Sequence, residues 1–381
     1  MTDDTGPQTV SWREITAQFL RIGLTAFGGP AAHVAIMRHE LVERRKWMSE
    51  AHFLDLLGAT NLIPGPNSSE MAMHIGFVRA GWAGLLGGGV GFLLPSMLIV
   101  LALAWGYVEF GTTPAAEWLL YGIKPVIIPL IALALWNLGR AAVKGPATVA
   151  VGIGALVASL LGVNFVAVLL GSGVVMMLVR NANRARKGAT ALLPLPLLSG
   201  GLAASASSFS VWGMALTFLK IGALLYGSGY VLFAYLQADL VEANGWLTDQ
   251  QLLDAIAVGQ LTPGPLSTSA TFIGYLLAGM PGAIVATVAI YLPAFVVVAL
   301  SNPLIPRLRR SRWAGHFLDG VNVAAVALML EVLLELGQAA LVDLYTVAIA
   351  GVAAALLLRW RVNSAWLVLF GAVMGLLSAV V

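Results

Sequence analysis

The chain has 381 residues, of which 59% are hydrophobic and only 10% charged, with a formal net charge of +3 and no cysteine. Soluble domains carry about 25% charged residues, so this composition excludes an ordinary water-soluble globule. The missing cysteines exclude disulfides, thiolate metal sites and thiol catalysis. Apolar runs such as 81–105 and 282–300 are each long enough to cross a bilayer core of about 30 Å. The positive charge sits mainly in loop Lys and Arg, which orient membrane proteins and do not point to nucleic acid.

The first ten residues are polar and lack a basic segment followed by an apolar core, so no cleavable signal peptide is expected. A helix is predicted over 12–27, followed by a charged loop with Arg38, Arg44, Arg45 and Lys46. Trp47 is placed as an interfacial anchor. Ser49 is placed as the cap of a short helix, with Glu50 in its first turn. That helix runs into Asn61-Leu62-Ile63-Pro64-Gly65-Pro66-Asn67-Ser68-Ser69. Two prolines around a glycine break a helix, because proline has no N–H and disfavours helix at the residue before it. Asn67, Ser68 and Ser69 are N-cap residue types, so a new helix is expected there, with free N–H groups and a positive dipole end suited to an anion. A long helix over 82–108 follows. Its Gly84, Gly87, Gly88 and Gly91 form a face for close helix packing. Further helices are predicted near 117–139, 146–162 and 164–180.

Shifted by 199 residues, the chain matches itself. Phe19-Leu20-Arg21-Ile22-Gly23 falls on Phe218-Leu219-Lys220-Ile221-Gly222, Trp47 on Trp246, Ser49 on Thr248, and Asp55 on Asp254. Pro64-Gly65-Pro66 falls on Pro263-Gly264-Pro265, followed by Leu266-Ser267-Thr268. After one deleted residue, Gly76 meets Gly274, Gly81 meets Gly279, and Pro95 meets Pro293. The expected organisation is an N-terminal repeat over 11–180, a linker over 181–208 and a C-terminal repeat over 209–381. The second repeat should hold helices near 209–228, 282–301, 315–337, 343–358 and 363–381.

Charge gives the orientation. The basic loop at 38–46 has a counterpart, 229–249, without Lys or Arg. The loop at 109–118 has none either, whereas its counterpart carries Arg307, Arg309, Arg310 and Arg312. Because basic residues stay on the cytoplasmic side, equivalent loops fall on opposite faces. The fold class expected is therefore an all-α polytopic membrane protein, its two homologous halves forming an inverted-topology repeat. The arms 51–63 and 67–78 are each about 18–20 Å long, too short to span. They read as a re-entrant hairpin, giving about ten spanning helices plus two Pro-Gly-Pro re-entrant helical hairpins.

Ionisable groups inside spanning segments are expensive and default to functional hypotheses. Arg21 and Lys220 share one repeat position, for which anion attraction competes with snorkelling or structural pairing. Glu70 and His74 lie four apart on one helix face and are the proton-coupling candidates, against a plain Glu–His hydrogen bond. The second half has Ser269 and Ile273 there. Asp55 and Asp254 match across halves, with function and surface solvation both open. Lys124 has Asn322 as its mate; Glu331 and Glu335 lie one turn apart. No metal-ligand spacing or nucleophile–base motif is found, and no cofactor is expected.

Phe27-Gly28-Gly29-Pro30, Glu43-Arg44-Arg45, Trp47 and Leu62-Ile63-Pro64-Gly65-Pro66 resemble the N-terminal half of the chromate ion transporter family. Phe218-Leu219-Lys220-Ile221-Gly222 and Leu261-Thr262-Pro263-Gly264-Pro265 resemble its C-terminal half. The resemblance implies the long-chain, two-domain form: a multi-pass inner-membrane carrier that exports chromate using the proton motive force. A small inorganic oxyanion, chromate or sulfate, is the expected partner, held by the two helix N-termini, Asn67, Ser68, Ser69, Ser267 and Thr268 and a basic residue. A homodimer is compatible with it. Two other classes remain open on the residues alone: an intramembrane enzyme acting on a lipid phosphate, and a passive anion channel.

Overall fold

Helix is the only regular structure among the described residues of the computed structural model, which are 10–61, 63–111, 113–185, 209–226, 229–301 and 311–379. Arg186, Lys187 and most of the stretch joining the halves lie outside them. So do Leu62, Gly227, Ser228 and the arginines at 307, 309 and 310 of the second basic loop.

The chain begins with α1 (Trp12–Thr25), capped by Ser11, which accepts from the amide of Arg13. Its 14 residues span about 21 Å, short of a bilayer core. Gly28 and Gly29 then take left-handed backbone (φ 106° and 79°) and Pro30 restarts the helix. The stretch expected to be a charged loop is instead helix: α2 (Gly29–Arg38), continued by a wide turn over His39–Arg44. It runs back along α1. Gln18 Nε2 donates to Glu40 Oε2 at 3.2 Å, and Arg45 reaches Glu14 at 3.1 Å. The periodicity of 38–46 was masked by its charge, which serves ion pairs such as Arg38 with Glu43 on the same helical run and with Glu50 beyond it. Trp47 is buried, with Arg45 stacked over its ring at 5.5 Å, rather than facing outward.

Next come α3 (Glu50–Thr60), capped by Ser49 as expected, and α4 (Asn67–Phe110). Helix α4 begins after Pro66, and no side chain caps it. It is broken at Ala80 and Gly81, where Gly81 takes φ +58°. Here the chain folds back, so 67–79 lies antiparallel on 82–110. A Cβ on Gly76 would overlap the carbonyl of Gly84, and one on Gly88 would lie 2.5 Å from the carbonyl of Ala72. Gly87 and Gly91 open the next face of the same helix to Thr16 on α1. The expected glycine face therefore serves two partners. Then follow α5 (Pro114–Ala142), α6 (Pro146–Leu160) and α7 (Phe165–Ala185).

The second half repeats this design. Helix α8 (Val211–Leu224) ends early, and α9 (Leu232–Leu236) with its wide turn Gln237–Ala243 runs back along it. Lys220 meets Asp239 at 2.6 Å, and the Tyr235 hydroxyl donates to the Leu224 carbonyl. Helix α10 (Asp249–Leu261) carries a full capping box between Thr248 and Gln251. A tight turn, Leu266–Thr268, leads into α11 (Ser269–Ser301). Its break repeats the first to within a few degrees: Ala278 at φ −148°, ψ 25° and Gly279 at φ +61°, ψ −151°. Helices α12 (Arg312–Ala340), α13 (Leu344–Trp360) and α14 (Ser364–Ser378) complete the chain.

Four helical stretches, Asn67–Phe110, Pro114–Ala142, Leu266–Ser301 and Arg312–Ala340, are long and apolar enough to cross a membrane. The halves interlock. Gly122 of α5 packs onto the backbone of Gly371 and Gly375 in α14, while its mate Gly320 of α12 packs onto Ser172 and Gly173 in α7. Equivalent helices run in opposite directions. Lys144, just past the end of α5, pairs with Asp319 near the start of α12 at 2.6 Å. Tyr121, near the start of α5, donates to Asp343 beyond the end of α12.

Candidate functional site

The four helix breaks meet at one place. The amide of Gly65, inside the first Pro-Gly-Pro, donates to the carbonyl of Leu225 at the end of α8, at 2.6 Å. The amide of Gly264, inside the second, donates to the carbonyl of Ala26 at the end of α1, at 2.8 Å. Each half thus docks its Pro-Gly-Pro onto the end of the other half's first helix. The tips of α1–α2 and α8–α9 also touch: Tyr230 lies against Gly29, and Pro30 against Gly229. Four helices end here and new ones start, so unused helical N–H groups and positive dipole ends gather at one locus. The sequence showed the two Pro-Gly-Pro breaks. It also carried the signal for the other two, Phe27-Gly28-Gly29-Pro30 and Gly227-Ser228-Gly229-Tyr230, whose glycines permit left-handed backbone.

The polar side chains here divide into two groups. Thr268 and Ser96 share a hydrogen bond at 2.9 Å between halves, and Thr268 also donates to the Pro265 carbonyl at 2.8 Å. Ser267 bonds Tyr291 at 2.7 Å, and Asn67 donates to Asn61 at 2.8 Å. His33 Nε2 sits 3.1 Å from the Ala26 carbonyl. By contrast, Ser69 Oγ, both carboxylate oxygens of Glu70 and both ring nitrogens of His74 are buried with no hydrogen-bond partner among the described residues. The Glu70–His74 hydrogen bond that their spacing allows is not made. Glu70 folds back over Gly65, where a Cβ would collide with its carboxylate. Buried polar groups in native proteins are nearly always paired, which sets Glu70 and His74 apart among the described residues.

Arg21 and Lys220 are not drawn into this cluster. Both are exposed from the protein interior on α1 and α8, and Lys220 is held by Asp239. Of the matched aspartates, Asp55 is exposed and Asp254 is buried. Asp254 forms a second polar centre that the sequence did not reveal. Lys124 Nζ lies 3.2 Å from its Oδ1, and the Tyr107 hydroxyl donates to its Oδ2 at 2.9 Å. A cavity of about 390 Å³ opens onto this trio, lined also by Glu117, Tyr121, Gln250 and Gln251. Its counterpart of about 330 Å³, with Asn322 in place of Lys124, is lined by Asn61, Lys144 and Asp319. Glu331 accepts from Ser159, and Glu335 keeps one buried oxygen without a partner among the described residues.

A sequence profile of the chromate transporter family matches residues 13–177 and again 212–376, once on each half. The chain belongs to the chromate transporter family. It is 33% identical over 367 residues to the probable chromate transport protein of Synechococcus elongatus, covering 93% of this chain and 91% of that protein. It is 33% identical to the chromate transport protein of Cupriavidus metallidurans (96% and 92% covered) and 32% identical to that of Pseudomonas aeruginosa (88% and 84%). No solved structure matches. The two profile matches indicate a repeated half, and the relatives are named as transporters rather than enzymes.

Proposed function

We propose that this protein is a secondary carrier that exports chromate, or sulfate of the same tetrahedral shape, across the cytoplasmic membrane by alternating access. The observation that carries the proposal is the family match on both halves, with relatives named for chromate transport. The antiparallel run of α5 and α12, with the inverted loop charges, supports an inverted-topology repeat. Under this reading the Pro-Gly-Pro stretches are tips of re-entrant hairpins from opposite faces. The α1–α2 and α8–α9 pairs are two further hairpins, which lowers the ten crossings expected from sequence to eight. Irregular backbone at membrane depth is tolerated where protein buries it or a cavity wets it, and a four-tip cluster meets that condition.

The anion is held where the tips converge, by helix N-termini and the hydroxyls of Ser68, Ser69, Ser267 and Thr268, with Asn67 beside them. Arg21 and Lys220 supply positive charge on the approaches, because helix ends contribute only about half a charge each. Glu70 and His74 exchange protons during the cycle. Since the halves interlock through α5 with α14 and α12 with α7, the moving parts are the hairpins, and the long helices form the frame. Uptake of chromate and of sulfate into proteoliposomes, with and without a pH gradient, tests the proposal. Saturable, gradient-sensitive uptake is expected; no movement of either anion would end the oxyanion reading.

A further inference from the structure

The centre formed by Lys124, Asp254 and Tyr107 has no role in the site just described, and three features set it apart. It joins separate parts of the fold: Lys124 is on α5, Tyr107 near the end of α4, and Asp254 on α10, the entering arm of the second hairpin. The aspartate is enclosed, with 3% of its side chain exposed, and Lys124, at 16%, lines the same cavity. The pair has no symmetry mate, since Asn322 and the exposed Asp55 occupy the equivalent positions. An ion pair that joins three helices and lines a cavity is within reach of a solute in that cavity, as a sealed structural pair is not.

We infer that Lys124 and Asp254 form an exchange site in which an incoming oxyanion takes Lys124 and a proton takes Asp254. The inference rests on the carrier reading above. A buried carboxylate deprived of its cation is too costly to leave charged, so withdrawal of Lys124 is balanced by a proton from the aqueous cavity. The proton bonds to one Asp254 oxygen, the other keeps the Tyr107 hydroxyl, and no other bond changes. The anion receives the Lys124 ammonium, with the amides of Gln250 and Gln251 on the same wall. The other ionisable groups lining this space are Glu117 and Tyr121 of α5, and the Tyr121 hydroxyl donates to Asp343; Asp249 at the start of α10 is held by Gln237 instead. Helix α14, also packed on α10, carries no ionisable residue. Anion binding from this end is thereby tied to protonation of α10, the arm that leads to Gly264.

Calorimetry on the purified full chain, in two buffers of different ionisation enthalpy, separates anion binding from proton uptake. The probes are sodium sulfate at neutral pH and sodium chromate at alkaline pH, where both are dianions. The wild type should take up about one proton per anion bound, the value linkage requires for one group whose protonation is tied to binding. Asp254→Asn should still bind but take up about one proton fewer per anion than the wild type. Lys124→Gln should lose about tenfold or more in affinity, as expected for one charge-assisted contact, and Lys124→Arg should retain binding. Because Lys124→Gln strands Asp254, the double variant Lys124→Gln/Asp254→Asn is included; it should fold and bind no better than the single lysine variant. Wild-type affinity in either glutamine variant, or undiminished proton uptake in Asp254→Asn, overturns the exchange site while leaving the carrier standing. A wild type that neither binds nor transports either anion removes the carrier reading and this inference with it.

Discussion

The two Pro-Gly-Pro stretches have the same backbone and opposite chemistry. Each donates its glycine amide to the end of the other half's first helix, and each leads into an arm folded back at an Ala-Gly break on a Gly–Gly contact. After the second, every hydroxyl is satisfied: Ser267 by Tyr291, Thr268 by Ser96, and Ser269 by the Leu266 carbonyl. After the first, Ser69 Oγ, the Glu70 carboxylate and the His74 ring nitrogens are buried with no hydrogen-bond partner among the described residues. Packing geometry tolerates no change, because the close contacts are backbone on backbone. Side chains facing the interior have diverged, so the hydroxyls after the second copy are tied into the frame, while the first carries polar groups without partners among the described residues. Duplication fixed the frame and left the chemistry free to differ.

The largest effects should come where the copies are identical. Gly76→Leu and Gly274→Leu each drive a side chain into the carbonyl of the facing glycine. Each should cost about 3 kcal/mol or more, as severe overpacking does, and abolish a monodisperse peak in detergent. A tolerated Gly274→Leu beside a lethal Gly76→Leu would break the equivalence of the arms.

Next is the position where the copies differ most. Glu70→Leu removes a buried, unpaired carboxyl and should raise stability by about 1–3 kcal/mol while destroying gradient-sensitive transport. Ser269→Ala, its counterpart, should lower stability by about 1 kcal/mol and leave transport intact. Thermal unfolding and uptake on the same samples check both signs; equal signs in the two variants would remove the asymmetry.

Arg21→Gln and Lys220→Gln should each reduce uptake several-fold at low substrate without loss of folded protein. The Arg21 variant should be the more affected in transport alone, since Lys220 also binds Asp239. Wild-type kinetics in both, at normal protein levels, would take these residues off the anion's route. Thr268→Val removes the hydrogen bond to Ser96 that joins the halves, and should cost about 1 kcal/mol in thermal unfolding.

The smallest effect concerns two helix caps at one repeat position. Asp343 caps α13, whereas Gly145 caps α6. The Tyr121 hydroxyl, and then the amide of Thr346, hold the Asp343 carboxyl below its ordinary range. A depressed acid contributes its stability above the unfolded carboxylate range and loses it as pH falls through the folded value. Asp343→Gly should therefore lower the unfolding temperature slightly at neutral pH and not at all in strong acid, and a pH-independent difference would assign the effect to backbone freedom instead.

Much of this protein was legible in one dimension. Hydropathy gave the membrane class, self-similarity gave the halves, and Pro-Gly-Pro, Ser49 and Thr248 gave breaks and caps, because each is a property of a few adjacent residues. The charged stretch 38–46 misled, because its charges pair with one another and, through Arg45 with Glu14, across a hairpin. Tertiary structure alone decided which breaks meet, that Glu70 and His74 stay apart, and that Lys124 belongs to Asp254 rather than to its own repeat position. Those outcomes depend on where helices distant in sequence are brought together by glycine contacts at the backbone, and a local pattern carries no record of that distance.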